Sequence, residues 1–236
     1  MPIQKTLNQN FFKGWSSEMA YVLGYFAADG SMLLNNRGGY YIEFTSCDRV
    51  LISIVQRVTG SSHYVSARER GGNCKTAYRI QIGSTAWFED LLKLGFTQNK
   101  SNTLQFPEVP NEFFAHFVRG YFDGDGCAYF KEHWAKDHGK MKWSFQTHFT
   151  SGSYEFLKVL LQTLKEYGVK GGCIAPKSKS GFELQFSRHD SLALYRLMYH
   201  TAVVTNLFLP RKRRTLERAI LILKLEKKVT KNAAVV

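Results

Sequence analysis

Three scarcities narrow what this chain can be. Cysteine is sparse: Cys47, Cys74, Cys127 and Cys173 stand far apart with no C-x-x-C pair, which argues against a zinc site. No apolar run is long enough to span a bilayer, and no apolar leader opens the chain, so the expectation is an intracellular protein with reduced thiols and no membrane partner. Acids are the third shortage. Lys and Arg number 32 against 19 Asp and Glu, a formal net charge of +13. That excess favours a polyanionic partner, nucleic acid first, and it is spread along the chain rather than gathered in one membrane-surface helix. With 44% hydrophobic residues over 236 positions, the chain can bury a core as one large domain or two small ones.

What is present is a repeat. AYVLGYFAADG, residues 20–30, returns as HFVRGYFDGDG, residues 116–126, with Gly24-Tyr25-Phe26 matching Gly120-Tyr121-Phe122 and Asp29 matching Asp125. The likeness continues. Phe44-Thr45-Ser46 recurs as Phe149-Thr150-Ser151, and each is followed by an amphipathic stretch, Asp48–Val58 and Ser153–Tyr167. Alternating segments follow at 78–82 and 182–186, then second helices at Ala86–Leu94 and Ser191–Tyr199, then Asn-containing stretches ending at Pro107 and Pro210. Each half therefore reads αββαββα: an α+β chain of two pseudo-symmetric repeats with antiparallel sheets that have one wet face. Turn signals lie at 35–39 and 70–73, and the first hairpin of the second half is longer, near Trp134–Met141. The boundaries expected are 1–106 and 113–236 around a linker at 107–112, with a C-terminal helix at Leu216–Val229 preceded by the run Arg211-Lys212-Arg213-Arg214.

Read as a helix ending at its Asp-Gly, each motif sets small residues four apart on one face, Gly24 with Ala28 and Gly120 with Gly124. Such faces let two helices approach backbone to backbone, so the motif helices are expected to pack on each other at the pseudo-twofold axis. Gly30 and Gly126 are expected as left-handed helix stops. Asp29 and Asp125 then sit at helix C-termini, where the dipole already disfavours an anion. A pair of acids there makes chemical sense around divalent cations, with helix-end carbonyls as further ligands; Mg²⁺ suits that oxygen set.

These two motifs, with the matching pattern behind each, resemble the signature of the LAGLIDADG homing endonucleases in their single-chain, two-motif form. The resemblance covers nearly the whole chain. It implies two saddle-shaped sheets straddling a long DNA duplex, with motif helices at the central interface. It also implies a metal-dependent double-strand break across the minor groove that leaves short 3′ overhangs. By matched position Asp29 and Asp125 would be the catalytic metal ligands, with Ala28 and Gly124 lending carbonyls to two or more Mg²⁺ ions, Mn²⁺ able to substitute. Lys100 falls where the family often carries a supporting lysine. Aligning Pro107 with Pro210 puts Val203 at the matching place, so the second half lacks that lysine unless Arg211 or Lys212 reaches in. Ala27 replaces an acid that Asp123 keeps. These two departures predict unequal cutting of the two strands. Ser46 and Ser151 match positions where relatives carry water-positioning groups, although strand-to-helix capping explains them more simply.

Strand parity running outward from each motif selects the DNA-facing candidates. In the first half these are Ser31, Leu33, Asn35, Arg37, Tyr41, Glu43, Tyr64, Ser66, Arg68, Arg79 and Gln81. In the second they are Tyr129, Lys131, His133, Ser144, Gln146, His148, Lys177, Lys179, Glu183 and Gln185. Such side chains suit base edges in the major groove, and loop-tip lysines suit phosphates. The halves differ at nearly every such position, which predicts an asymmetric double-stranded target and a monomeric protein. Two other readings use the same fold: an RNA maturase assisting intron splicing, and a DNA-binding regulator that does not cut.

Overall fold

The computed structural model describes residues 5–69, 71–72, 75–178, 181–200 and 206–225. Each half runs helix, hairpin, helix, hairpin, helix. The first comprises α1 (Ser17–Asp29), β1 (Gly30–Leu34), β2 (Tyr40–Ser46), α2 (Arg49–Val58), β3 (Val65–Arg68), β4 (Ala77–Gly83) and α3 (Thr85–Lys93). The second repeats it as α4 (Asn111–Asp125), β5 (Gly126–Ala135), β6 (Lys140–Ser151), α5 (Tyr154–Glu166), β7 (Cys173–Ser178), β8 (Gly181–Phe186) and α6 (Arg188–His200), and adds α7 (Pro210–Ile222). The sheets are antiparallel and four-stranded, ordered β1-β2-β4-β3 and β5-β6-β8-β7. This is the α+β, two-repeat architecture expected from the sequence.

Alternation sets which sheet face is dry. Met32, Ile42 and Ile82 stand opposite one another in register, as do Phe44 and Ile80, and all are buried. α2 covers this face with Leu51, Ile52, Ile54 and Val55, and α3 with Trp87 and Leu91. In the second half Phe149 opposes Leu184, under Phe156, Leu157 and Leu160 of α5. The intervening strand residues point to the opposite, solvated face.

α1 and α4 are the centre of the molecule. Ser16 starts α1 by accepting the Met19 N–H at 3.1 Å. The two helices cross where Gly24 meets the Phe117 carbonyl and Gly120 meets that of Tyr21; a Cβ on either would fall well inside van der Waals contact with backbone. The close approach expected from the small-residue spacing is therefore present. At the helix ends one expectation fails. Gly30 has φ −87° and Gly126 φ −83°, both extended rather than left-handed. Glycine is required there for space, because a Cβ would strike the ring of Phe26 or Phe122 one turn earlier.

Two further differences concern the C-terminal helix, which runs Pro210–Ile222 with Leu223 as its C-cap rather than Leu216–Val229. The run 211–214 lies inside α7 rather than before it, because Pro210 takes the first helical position and Leu209 the cap. Lys212, Leu216, Ala219 and Ile220 form the buried side of this helix. The long hairpin is as expected: β5 and β6 pair from Gly126–Phe149 out to Ala135–Lys140. Arg70, Asn73, Cys74, Lys179, Val203 and Val229 lie outside the described residues.

Candidate functional site

Asp29 and Asp125 are the last residues of α1 and α4, delivered side by side by the glycine crossing. A Cβ on Gly124 would lie 2.5 Å from the Ala28 Cβ and 3.4 Å from Asp29 Oδ2, so the Asp29 carboxylate rests against the opposing helix end. Burial, then repulsion from Asp125, pushes the Asp29 carboxyl up to about 7. Burial also raises that of Asp125, while Lys212, Lys100 and Lys177 pull it back. Among the described residues no cluster of three or more His, Cys, Asp or Glu could hold a metal. An ion here would draw on the two carboxylates, main-chain oxygens and water. That oxygen set, with two crowded acids, fits a hard divalent cation. Of the two carbonyls expected as ligands, that of Gly124 already accepts from Lys212 at 3.0 Å.

Lysines flank the pair on both sides, Lys100 from the first half and Lys212 from the second. Lys100 sits in a 3-10 turn (Lys100–Asn102), is buried, and donates to the Ala27 carbonyl at 3.0 Å. Lys212 reaches in from α7 and donates to the carbonyls of Phe122, Asp123 and Gly124 at 2.7, 2.8 and 3.0 Å. Each ammonium lies 5.4 Å from the ring of its motif phenylalanine, Lys100 over Phe26 and Lys212 over Phe122, so the two are pseudo-symmetric. Burial lowers both to about 8, opposed by the nearby carboxylates. Of the alternatives the sequence left open for the second half, Lys212 is the residue that reaches in. The run Arg211–Arg214 was the available signal, but its offset from the motif differs from that of Lys100.

Asp123 is not beside Asp29. It is buried behind the site, where its Oδ2 accepts from Tyr21 Oη and the Leu209 N–H, both at 2.8 Å. Burial raises it to about 6 against the pull of Lys212. Arg119, one turn earlier, is fully buried and donates to the carbonyls of Leu207 at 2.6 Å and Met198 at 2.8 Å, and to His116 Nδ1 at 2.8 Å. His116, held down to about 4 mainly by burial and by Arg119, is neutral; its other nitrogen then donates to Ser17 Oγ at 3.2 Å, across to α1. Ser46 and Ser151 accept the N–H groups of Asp48 and Ser153 at 3.0 and 3.1 Å; they form turns leading into α2 and α5, whose N-caps are Asp48 and Ser153, so the expected capping by the two serines is not what the structure shows.

The outer sheet faces carry the strand candidates. Ser31, Glu43 and Gln81 form one cross-strand row, with Leu33 and Tyr41 in the next. Arg79, opposite Thr45 and Ser66, pairs with Glu43, whose other partners are Gln81 at 3.4 Å and Thr45 at 3.5 Å. Arg68 and Tyr64 are exposed at the edge. Asn35 differs in kind: its Oδ1 accepts the N–H groups of Arg37 at 2.9 Å and Gly39 at 2.7 Å, so it shapes the loop that presents Arg37. In the second half Tyr129 faces Gln146, Lys131 faces Ser144, His133 faces Lys142, and His148 faces Gln185. Glu183 binds Lys177 at 2.6 Å, Gln185 at 2.7 Å and His148 at 3.2 Å, while Lys177 also donates to Thr150 at 3.0 Å. The acid–base order is thus reversed between halves: Glu43 with Arg79 in one, His148 with Glu183 in the other. Thr45 and Thr150, at matched positions in these networks, were not anticipated. No helix among the described residues is long and apolar enough to cross a membrane.

Two crossing motif helices, each ending in an acid and followed by an open four-stranded sheet, define a class. Residues 16–94 match the LAGLIDADG-like domain family. Over 92% of its length the chain has the fold of a solved LAGLIDADG meganuclease. A mutant of I-SmaMI superposes with a TM-score of 0.60 at 12% identity, covering 92% of this chain and 94% of its own. I-AabMI, solved bound to uncleaved DNA, gives 0.59 at 11% identity over 87% and 90% of the two chains. The I-LtrWI homing endonuclease, bound to its target DNA, gives 0.56 at 12% over 92% and 91%. I-SmaMI has also been solved on an uncleaved DNA target with calcium ions. No curated protein matches in sequence.

Proposed function

We propose that this protein is a site-specific, divalent-metal-dependent DNA endonuclease that makes a double-strand break with short 3′ overhangs in a long, asymmetric duplex. The observation that carries this is the pairing of Asp29 with Asp125 at one helix crossing, with a buried lysine on each side and a polar sheet face beyond each. A degenerate DNA-binding fold has no reason to keep two mutually repelling, half-buried acids. The DNA-bound relatives supply the precedent for the sheets as a duplex cradle. The repeats, 1–106 and 113–236 joined at 107–112, would each read one half of the target, and the chain would act as a monomer.

Asp29 and Asp125 would hold Mg²⁺ with help from the Ala28 and Gly124 main chain, and the bound ion would supply an activated water and stabilise the leaving oxygen. The chain's own residues do the rest. The sheets would fix the duplex so that each acid faces the scissile phosphate of one strand. Lys100 and Lys212 hold positive charge where charge builds in the transition state. Because burial already lowers both lysines, each can also pass a proton near neutral pH.

Cleavage of a randomised duplex library, with Mg²⁺ and with EDTA, followed by sequencing of the cut ends, tests the proposal. A long non-palindromic consensus, cut only with metal, supports it. Specific binding without cutting would point to the maturase or regulator reading.

Two further results are expected. Lys100→Met and Lys212→Met should each slow one strand, and not the same one, by on the order of 100-fold, the usual loss of one transition-state donor. Strand-resolved nicking of the selected duplex reads this, and equal slowing of both strands would refute the one-lysine-per-strand assignment. The second concerns pH. Asp29 holds its proton up to about 7, so a divalent cation must displace it below that pH. At subsaturating Mg²⁺ the rate should fall about tenfold per pH unit as acidity increases below that value, and raising Mg²⁺ should recover it. A rate unaffected by Mg²⁺ at pH 6 would contradict the assignment.

A further inference from the structure

We infer that Asp123 is a positioning residue for Lys212, a device of the second motif that the first does not use. The inference rests on the reading of Lys212 as part of the cutting site. The two lysines end in equivalent places but arrive by different routes. Lys100 comes on a short 3-10 turn after Asn99, which sits at φ 56°, and the turn is wedged against Gly152 of the other half. Lys212 comes on the first turn of α7, six residues after Asn206, which also sits at positive φ (49°), so the lysine is carried by a helix rather than by the 3-10 turn itself.

Buried charge on α4 fixes the entry to α7. Asp123 Oδ2 takes the Leu209 N–H at 2.8 Å, at the cap residue of α7, three positions before Lys212. Arg119 holds the Leu207 carbonyl at 2.6 Å, two residues further back. The segment is thus gripped at one N–H and one carbonyl by side chains four apart on α4. Tyr21 donates to the same Asp123 oxygen at 2.8 Å, which ties the grip to α1. With α7 registered in this way, the Lys212 ammonium meets three consecutive carbonyls of α4, including that of Asp123 itself.

The first half has Leu23 where Arg119 stands and Ala27 where Asp123 stands, so its motif helix carries neither side chain of this grip. Ala27 is then a residue whose clamp is not needed rather than a lost ligand. A buried carboxylate and guanidinium are costly to keep without purpose. Here they hold a backbone segment that a tight turn holds in the other half.

The test substitutes Asp123→Ala, which installs the residue of the first motif, and Asp123→Asn. The asparagine keeps an acceptor for Leu209 and Tyr21, and its amide nitrogen takes the place of Oδ1, which makes no hydrogen bond among the described residues. Acetylation by N-hydroxysuccinimidyl acetate, read by mass spectrometry, reports Lys212 with Lys100 as internal reference. Strand-resolved nicking of the library-selected duplex reports function. In Asp123→Ala, Lys212 should label about tenfold faster relative to Lys100, and one strand, the one slowed by Lys212→Met, should be cut roughly 10- to 100-fold more slowly, the cost of a displacement near 1 Å. Asp123→Asn should restore both. In a Lys212→Met background Asp123→Ala should cost little more.

A folded Asp123→Ala protein, checked by circular dichroism, that leaves Lys212 protected would overturn the inference. So would equal exposure of both lysines or equal slowing of both strands. Should the alanine variant not fold, Asp123→Ser, too short to span to Leu209, is read the same way. Labelling needs no DNA. If the wild type cuts no duplex, the enzymatic reading fails while the labelling still decides whether Asp123 places Lys212.

Discussion

Asp29→Asn/Asp125→Asn is expected to bind its duplex as tightly as the wild type and to cut neither strand, with a loss on the order of 10³- to 10⁵-fold. The amide keeps the volume and loses the charge that holds a divalent ion. Binding is carried by the sheet faces, which the substitutions do not touch, and removing two negative charges from the DNA side cannot weaken it. The same variants should change stability in the opposite direction. A carboxyl whose folded value, about 7, exceeds its ordinary 3.8 is disfavoured in its charged form on folding. The wild type without metal therefore loses stability as pH rises from about 4 to about 7 and carries the full cost above that. Allowing for the partial solvent access of Asp29, that cost is about 1–2 kcal/mol. At pH 8 in EDTA the double variant should melt above the wild type, and Mg²⁺ should raise the wild-type melting point only. A double variant that melts lower in EDTA, or one that still cuts, would remove the two acids from the metal site.

The largest structural effect is expected from Gly24→Ala and Gly120→Ala. Each added methyl points into a main-chain carbonyl of the opposing helix, Phe117 in one case and Tyr21 in the other. Backbone cannot step aside as a side chain can, so α1 and α4 must separate. Each substitution should cost about 3 kcal/mol or more, at the upper end for overpacking. Any folded fraction should cut poorly, because Asp29 and Asp125 ride on the helices that part, and a shift near 1 Å costs on the order of 100-fold. Gly14→Ala is the control: nothing lies within 4 Å of its added methyl. Its melting point should match the wild type, and a neutral Gly120→Ala would mean that the crossing is looser than drawn.

Much of this molecule was written in its periodicities. The repeated eleven residues place Asp29 and Asp125 at equivalent helix ends, and small residues four apart announced the crossing of α1 and α4. Period-2 alternation divided each sheet into the face under α2, α3, α5 and α6 and the face that carries Arg79, Gln81, Gln146 and Gln185. These are local properties. A strand's parity and a helix's stripe depend on neighbours a few residues away, so a single sequence displays them.

What the sequence could not show depends on which distant segments meet. Lys100 lies 71 residues after Asp29 and Lys212 lies 87 after Asp125, so no alignment of the halves pairs them. They are equivalent because each ammonium is drawn to the carbonyls and ring at its own motif helix end, a requirement of space and charge that spacing does not encode. Gly30 and Gly126 looked like left-handed stops because glycine usually serves there. Only the packing of Phe26 and Phe122 beneath them shows that room, not backbone angle, is the constraint. In the sequence Asp123 is only the acid that the second motif keeps where the first has Ala27. Only the fold brings Leu209 to it from 86 residues away and makes it a clamp.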